Sequence, residues 1–126
     1  AGGFLFFLGY FLLWGPGERE LSELVAGGME TRPHMAPPTS FNQAGAMLRR
    51  SAAYAGNDGG INHLAVAMET PSVAVFGPTS NPWKWTAWHL PRHAFLRNWE
   101  HRDPTDTTFG VAPEEVLEKL AEVLEA

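Results

Sequence analysis

The sequence predicts an α/β protein built on a parallel sheet with flanking helices. Short apolar runs bounded by glycine and proline alternate along the chain with segments of helical periodicity. Those runs are solidly apolar, as strands covered on both faces require, where a half-exposed strand would alternate. The 126 residues suffice for one domain with a core of its own, without disulfides. Hydrophobic residues make up 44% and charged residues 18%, which excludes a disordered tail.

The elements follow in order. Residues 4–14, FLFFLGYFLLW, are the most apolar stretch. Eleven residues fall short of the about 20 that a membrane-spanning helix needs. No Met or basic segment precedes them, as one would in a signal peptide. Split at Gly9, the run gives the end of a helix at 4–8, packed on a sheet, and a buried strand at Tyr10–Trp14. The chain is therefore expected to begin inside a larger domain, with a targeting or anchoring segment as the alternative. Gly15-Pro16-Gly17 breaks the strand. Glu18–Ala26 reads as a helix, with Gly27-Gly28 as its stop. Met29–Pro38 is irregular, and Thr39-Ser40 signals the start of a helix over Phe41–Arg50, with Phe41, Ala44, Met47 and Leu48 on one face. Ser51–Gly56 is a short strand candidate. Asn57-Asp58-Gly59-Gly60 is a tight turn before a helix from Ile61 to Met68. Ser72–Phe76, SVAVF, is a strand. Residues 80–110 are loop-rich and aromatic, and Pro113–Leu124 is an amphipathic closing helix. This alternation defines a sheet of Rossmann type.

Net charge and cysteine count remove several functions. Nine Lys and Arg against fourteen Asp and Glu leave −5, which gives no footprint for nucleic acid or for an anionic membrane. With no Cys, disulfides, thiolate metal sites and cysteine nucleophiles are excluded, and a reducing compartment fits. No Gly-x-Ser-x-Gly elbow, Walker loop or Gly-x-Gly-x-x-Gly is present.

Ligands of open parallel sheets bind beyond the carboxyl ends of the strands. Three such ends carry unusual loops, at Gly15–Glu18, Asn57–His63 and Gly77–Ser80, expected along one edge. Gly59 and Gly60 would take positive φ and let a ligand approach the backbone. The amides after them open a helix, whose N-terminus offers unpaired N–H groups and partial positive charge to an anion. His63 would donate to a phosphate oxygen from the first turn. Asp58 would accept from sugar hydroxyls or cap the helix. The competing reading is an ordinary Asp-Gly turn with an Asp cap and a His satisfied by its surroundings.

The stretch GNDGGINHLAVAMETPSVAVFGPTSNPWKW (Gly56–Trp85) resembles the donor-binding domain of the heptosyltransferases, glycosyltransferase family 9. That family's pattern is Asp-Ser/Thr-Gly-x-x-His-x-Ala, a Thr-Pro strand entry and a Phe-Gly-Pro-Thr loop. Trp14–Glu18 resembles its Gly-rich turn ending in Glu, Pro37–Phe41 the segment before its next helix, and Phe109–Val116 its closing helix. The likeness spans roughly residues 10 to 126 and implies a GT-B architecture, with residues 1–126 as a nucleotide-sugar donor-binding domain truncated at its start.

By that resemblance Asp58, Gly59, Gly60, Ile61 and His63 would hold the diphosphate and sugar of the donor. Glu18 would accept from the ribose hydroxyls, and Thr39 would lie beside the nucleobase. Gly59 stands where the family has Ser or Thr, which removes a hydroxyl from the phosphate site. The acceptor domain with its catalytic base would precede this chain, as would a basic residue that faces the phosphates. The resemblance thus implies no catalytic residue here, and binding without turnover. It further implies metal-independent transfer of a sugar such as heptose from ADP-heptose to a lipopolysaccharide-core-like acceptor. The setting would be cytoplasmic, peripheral at most to the inner membrane. A non-catalytic nucleotide or nucleotide-sugar binding module, or an inactive fragment, is the alternative.

Other residues have plainer readings beside functional ones. Trp83, Trp85, Trp88 and Trp99 would stack on a sugar or line an interdomain cleft, or simply pack. Lys84 and Arg92 would neutralise a diphosphate or lie solvated. His34, His89, His93 and His101 invite a metal reading, but Pro91 breaks the helix that would align His89 with His93. Arg49-Arg50 complements the dipole at a helix end.

Overall fold

The computed structural model describes residues 10–31 and 33–126, so the helix expected at 4–8 lies outside the described residues. The chain divides into two compact units, one ending at Ala44 and one running Gly45–Ala126.

In the first unit β1 (Phe11–Leu12) and β2 (His34–Met35) pair in parallel, Phe11 opposite His34, with α1 (Arg19–Gly28) between them in sequence. The Tyr10 carbonyl accepts from His34 N–H at 2.7 Å and the Leu12 carbonyl from Ala36 N–H at 3.0 Å. Beyond that point the Ala36 carbonyl is taken by the Trp14 indole N–H at 2.7 Å, so backbone pairing stops. The strand is therefore shorter than the expected Tyr10–Trp14, and Phe11, 60% exposed, is not covered on both faces. β2 falls in the stretch expected to be irregular. α1 continues through Gly27 and Gly28, because neither adopts the left-handed backbone that would stop it; extended Met29 ends it. α2 (Phe41–Arg49) opens on a reciprocal cap: Ser40 Oγ accepts from Gln43 N–H at 3.1 Å, and Gln43 Oε1 accepts from Ser40 N–H at 2.8 Å.

The second unit is a parallel sheet ordered β3 (Tyr54–Asn57), β4 (Ser72–Phe76), β5 (His93–Arg97). Register runs Tyr54↔Ser72↔His93 to Phe76↔Arg97. α3 (Gly60–Ala67) crosses from β3 to β4 and packs on both, while α5 (Pro113–Glu125) packs on β4 and β5. The short α4 (Pro82–Trp85) and β5 lie where only loop was expected. β3 begins three residues later than expected, because Ser51, just past α2, is tied back to its last turn: its N–H donates to the Leu48 carbonyl at 2.9 Å and its hydroxyl to the Met47 carbonyl at 2.8 Å. The core is centred on β4, where Val73, Ala74 and Phe76 are fully buried, with Leu64 and Ala65 from α3 and Val123 from α5 also buried. The solid apolar run dictates this placement. Thr70 ties β4's entry to α2 through a 2.6 Å bond from its hydroxyl to the Leu48 carbonyl.

One buried polar pair joins β4 to β5. His93 Nδ1 lies 2.8 Å from Ser72 Oγ. Burial, and secondarily the neighbouring Arg92 charge, lower the His93 pKa below its ordinary value. The unfolded chain therefore binds the proton more readily than the folded one. Stability is full above pH ~6.5, falls as pH drops below that value, and levels off below the folded pKa. Thermal melts from pH 8 to 5 are expected to show this fall, and His93→Asn to flatten it.

Candidate functional site at the carboxyl ends of β3 and β4

Parallel β3 and β4 end side by side, which places the loops after Asn57 and after Phe76 together. The Asp58 N–H extends the ladder to the Val75 carbonyl at 3.0 Å. Between these loops lies a cavity of about 250 Å³, lined by Asp58, Val75, Pro78, Thr79, Ser80 and Phe109 among others. The loop after β5 forms the far wall. Asp103 and Asp106 shape it, each accepting from the N–H and hydroxyl of the threonine two residues on, at 2.7 to 2.9 Å. Those bonds hold both carboxyls below their ordinary pKa. Phe109, at φ 53°, packs so closely on the loop that a Cβ at Gly77 would come within 3.0 Å of its ring.

Asp58 does not cap α3. The cap position is Gly59, and the Asp58 carboxylate instead accepts from Ser80 Oγ at 3.1 Å, tying the two loops. Gly59 is extended, at φ 168° and ψ −177°, and Gly60 has no positive φ, so the expectation of left-handed backbone here is corrected. The helix entry needs no left-handed turn, because the strand leads straight into it. A Cβ at either glycine would meet no atom within 4 Å, so the space beside the entry to α3 is open at both. The Asn62 N–H already bonds Gly59 at 3.1 Å, and Ile61 is half-buried at the first turn. His63 is exposed and meets the Trp85 ring edge-on, centroids 6.2 Å apart.

The structure thus gathers Asp58, Gly59, Gly60, Ile61 and His63 around one strand-to-helix junction. Glu18 and Thr39 belong to the first unit. Glu18 stands at the cap of α1, exposed, with Oε1 accepting from the Gly15 N–H at 3.0 Å. A Cβ at Gly15 would sit 2.6 Å from the same oxygen, so a larger residue there would displace the Glu18 carboxylate. The third loop expected on a common edge follows β1, which belongs to the separate two-stranded sheet. Thr39 is half-buried, one residue before the cap of α2.

Sequence reasoning placed Ser80 in the Gly77–Ser80 loop without its bond to Asp58, and missed Arg97. The Arg97 guanidinium donates to the carbonyls of Ser80 and Pro78, both at 2.9 Å. A recognised β5 would have pointed to it, since Arg97 is the last residue of that strand. Tyr54 leans over Gly56, where a Cβ would run into its hydroxyl, and burial raises its pKa. Trp83 packs edge-on against Trp88 at 5.4 Å and Phe95 at 4.9 Å, which supports the packing reading, although each is about half exposed or, for Phe95, half-buried. Lys84 lies 5.3 Å over the Trp85 ring. Among the described residues no three or more His, Asp or Glu form a group that could hold a metal ion. Nor is any described helix long and apolar enough to cross a membrane.

A parallel α/β unit with a cavity beyond its strand ends is a Rossmann-like ligand-binding architecture. Residues 9–124 match the sequence model of glycosyltransferase family 9 (heptosyltransferase), and the chain belongs to that family. It is 32% identical over 81 residues to lipopolysaccharide heptosyltransferase 3 of Escherichia coli (strain K12), covering 61% of this chain and 23% of that protein. It superposes with TM-score 0.79 and 21% identity on the crystal structure of the glycosyl transferase family 9 from Veillonella parvula DSM 2008, covering 93% of this chain and 37% of that one. The fold expected from the sequence is therefore shown. The chain spans about a quarter to a third of the length of these relatives.

Proposed function

We propose that this chain is the donor-binding part of an inverting GT-B glycosyltransferase, and that the Asp58 cavity receives a nucleotide diphosphate sugar. The observation that carries the reading is the junction of β3 with α3. Its bare glycines leave the first helical amides open to an anion, next to a carboxylate that can receive sugar hydroxyls. The diphosphate sits at the helix N-terminus, where N–H groups and the helix dipole favour negative charge. With the cap role removed, Asp58 accepts from the sugar, and His63 donates to a phosphate oxygen.

As the glycosidic bond breaks, charge grows on the leaving diphosphate. Amides fixed beforehand stabilise that charge without reorganising and without a metal. This chain supplies leaving-group stabilisation, while the base that activates the acceptor comes from the preceding acceptor domain. The donor is ADP-heptose and the acceptor a lipopolysaccharide-core-like glycan, in a cytoplasmic setting at the inner membrane face. Membership of the heptosyltransferase family and the likeness to a lipopolysaccharide heptosyltransferase support both assignments. The chain alone binds donor and does not transfer it, in keeping with the fraction of its relatives' length that it spans.

Calorimetric titration with ADP, UDP and ADP-heptose tests the reading. Saturable binding of the adenine compounds, lost in an Asp58→Ala, His63→Ala double variant that stays folded, is the expected result. A folded wild-type chain that binds none of the three refutes it.

A further inference from the structure

We propose that Arg97 is a positioning residue for the Asp58 carboxylate, acting through the Pro78–Ser80 loop. This rests on the donor-site reading above and assigns a determinant of sugar recognition within that site. The connection is continuous in hydrogen bonds. Nη2 of Arg97 donates to the Pro78 carbonyl and Nη1 to the Ser80 carbonyl, both at 2.9 Å. Ser80 Oγ in turn donates to Asp58 Oδ2 at 3.1 Å. A planar guanidinium bridging two carbonyls two residues apart fixes the loop between them more tightly than a single donor can.

Three further observations show that Arg97 is committed to this loop. No carboxylate lies within ion-pair distance of it among the described residues. Its Nε is buried with no hydrogen-bond partner, and the Trp99 ring covers the guanidinium at 4.2 Å. A positive charge held this way, with backbone carbonyls in place of a counter-ion, serves the carbonyls it orients. Arg97 is also not among the residues that line the Asp58 cavity: it lines a different one, of about 390 Å³, while Pro78 and Ser80 line the one that contains Asp58. By this chain of bonds Arg97 sets Ser80, Ser80 sets Asp58, and Asp58 meets the sugar.

The affinity gained by adding the sugar to the nucleotide isolates this role. The wild-type chain is expected to bind ADP-heptose more tightly than ADP, and that ratio reports the sugar contacts. Arg97→Lys keeps the charge but loses the two-carbonyl bridge. Ser80→Ala removes the hydroxyl and leaves the carbonyl bonds in place. Each is expected to lower the ADP-heptose to ADP ratio about tenfold, the scale of one charge-assisted hydrogen bond, so that any loss of ADP affinity is the smaller of the two. The double variant is expected to lose no more than either single one, because both act through one chain of bonds. Should Arg97→Lys melt, Ser80→Ala carries the test. If wild type shows the sugar gain and folded Ser80→Ala or Arg97→Lys preserves it, the positioning role is overturned. Equal loss for ADP and ADP-heptose also overturns it, since that is what general loosening of the loop would give. If wild type binds ADP but gains nothing from the sugar, the positioning role fails and nucleotide binding stands. No binding of either compound to wild type removes the donor-site reading itself.

Discussion

Phe76→Ala is expected to lower folding stability by about 3–5 kcal/mol, the cost of emptying a large aromatic site in a packed core. Phe76 is fully buried at the end of β4, the middle strand of its sheet, and its ring meets Phe95 of β5 edge-on at 6.1 Å. Little around it can collapse into the gap, because Val73 and Ala74 on the same strand are already without exposure. Against a typical total of about 5–15 kcal/mol, such a loss takes much of what holds the domain together. Leu117→Ala, at a position 66% exposed on α5, is the control and is expected to stay within about 0.5 kcal/mol. Urea unfolding of both variants checks this. A Phe76→Ala loss below about 1 kcal/mol would mean that the core does not centre on β4.

Gly60→Pro is expected to separate ligand binding from folding. Gly60 is the first residue of α3, a position that proline tolerates because its amide has no partner within the helix. Gly59 before it is extended, which suits a residue preceding proline, and a Cβ at Gly60 would meet nothing within 4 Å. The substitution therefore deletes one N–H from the proposed phosphate site with a change in stability within about 1 kcal/mol. A hydrogen bond to a charged group contributes about 1.5–3 kcal/mol, so ADP affinity is expected to fall at least about tenfold. Gly60→Ala, which keeps the N–H and adds one methyl group, is expected to lose less ADP affinity than Gly60→Pro. Fluorescence-detected ADP binding beside thermal melts of all three chains reads both quantities.

What the sequence made legible follows the strength of its local signals. β4 lies at Ser72–Phe76 as expected, because five residues without a charge between Pro71 and Gly77 have one use in an α/β fold. α5 was legible for the same kind of reason, a sustained 3.6-residue apolar period after a proline. β5 was not, since HAFLR holds three apolar residues between two cationic or titratable ones and follows a proline-rich aromatic stretch. β1 and β2 are two residues each, too short for any periodicity to show. At the site, Asp58 to His63 could be read because an Asn-Asp-Gly-Gly turn joined a strand to a helix. Ser80 and Arg97 could not, because their roles come from contacts 17 to 22 residues apart that exist only after the sheet has formed. The positive φ expected for Gly59 and Gly60 illustrates the same limit. Composition marked the turn, but only the register of β3 against β4 decided that the chain enters α3 extended.

The claim on which the rest depends is that a nucleotide diphosphate sits against the first amides of α3, and a chain of 126 residues allows those amides to be observed one by one. The decisive measurement is an amide-resolved NMR titration of the isotope-labelled chain with ADP. The account predicts the largest shift changes at Gly59, Gly60 and Ile61, with smaller ones at Asp58 and across Thr79–Ser80, saturating together. Saturating shifts confined to the cavity beside Trp99 and Glu115, with the Gly59–Ile61 amides unmoved, would contradict it.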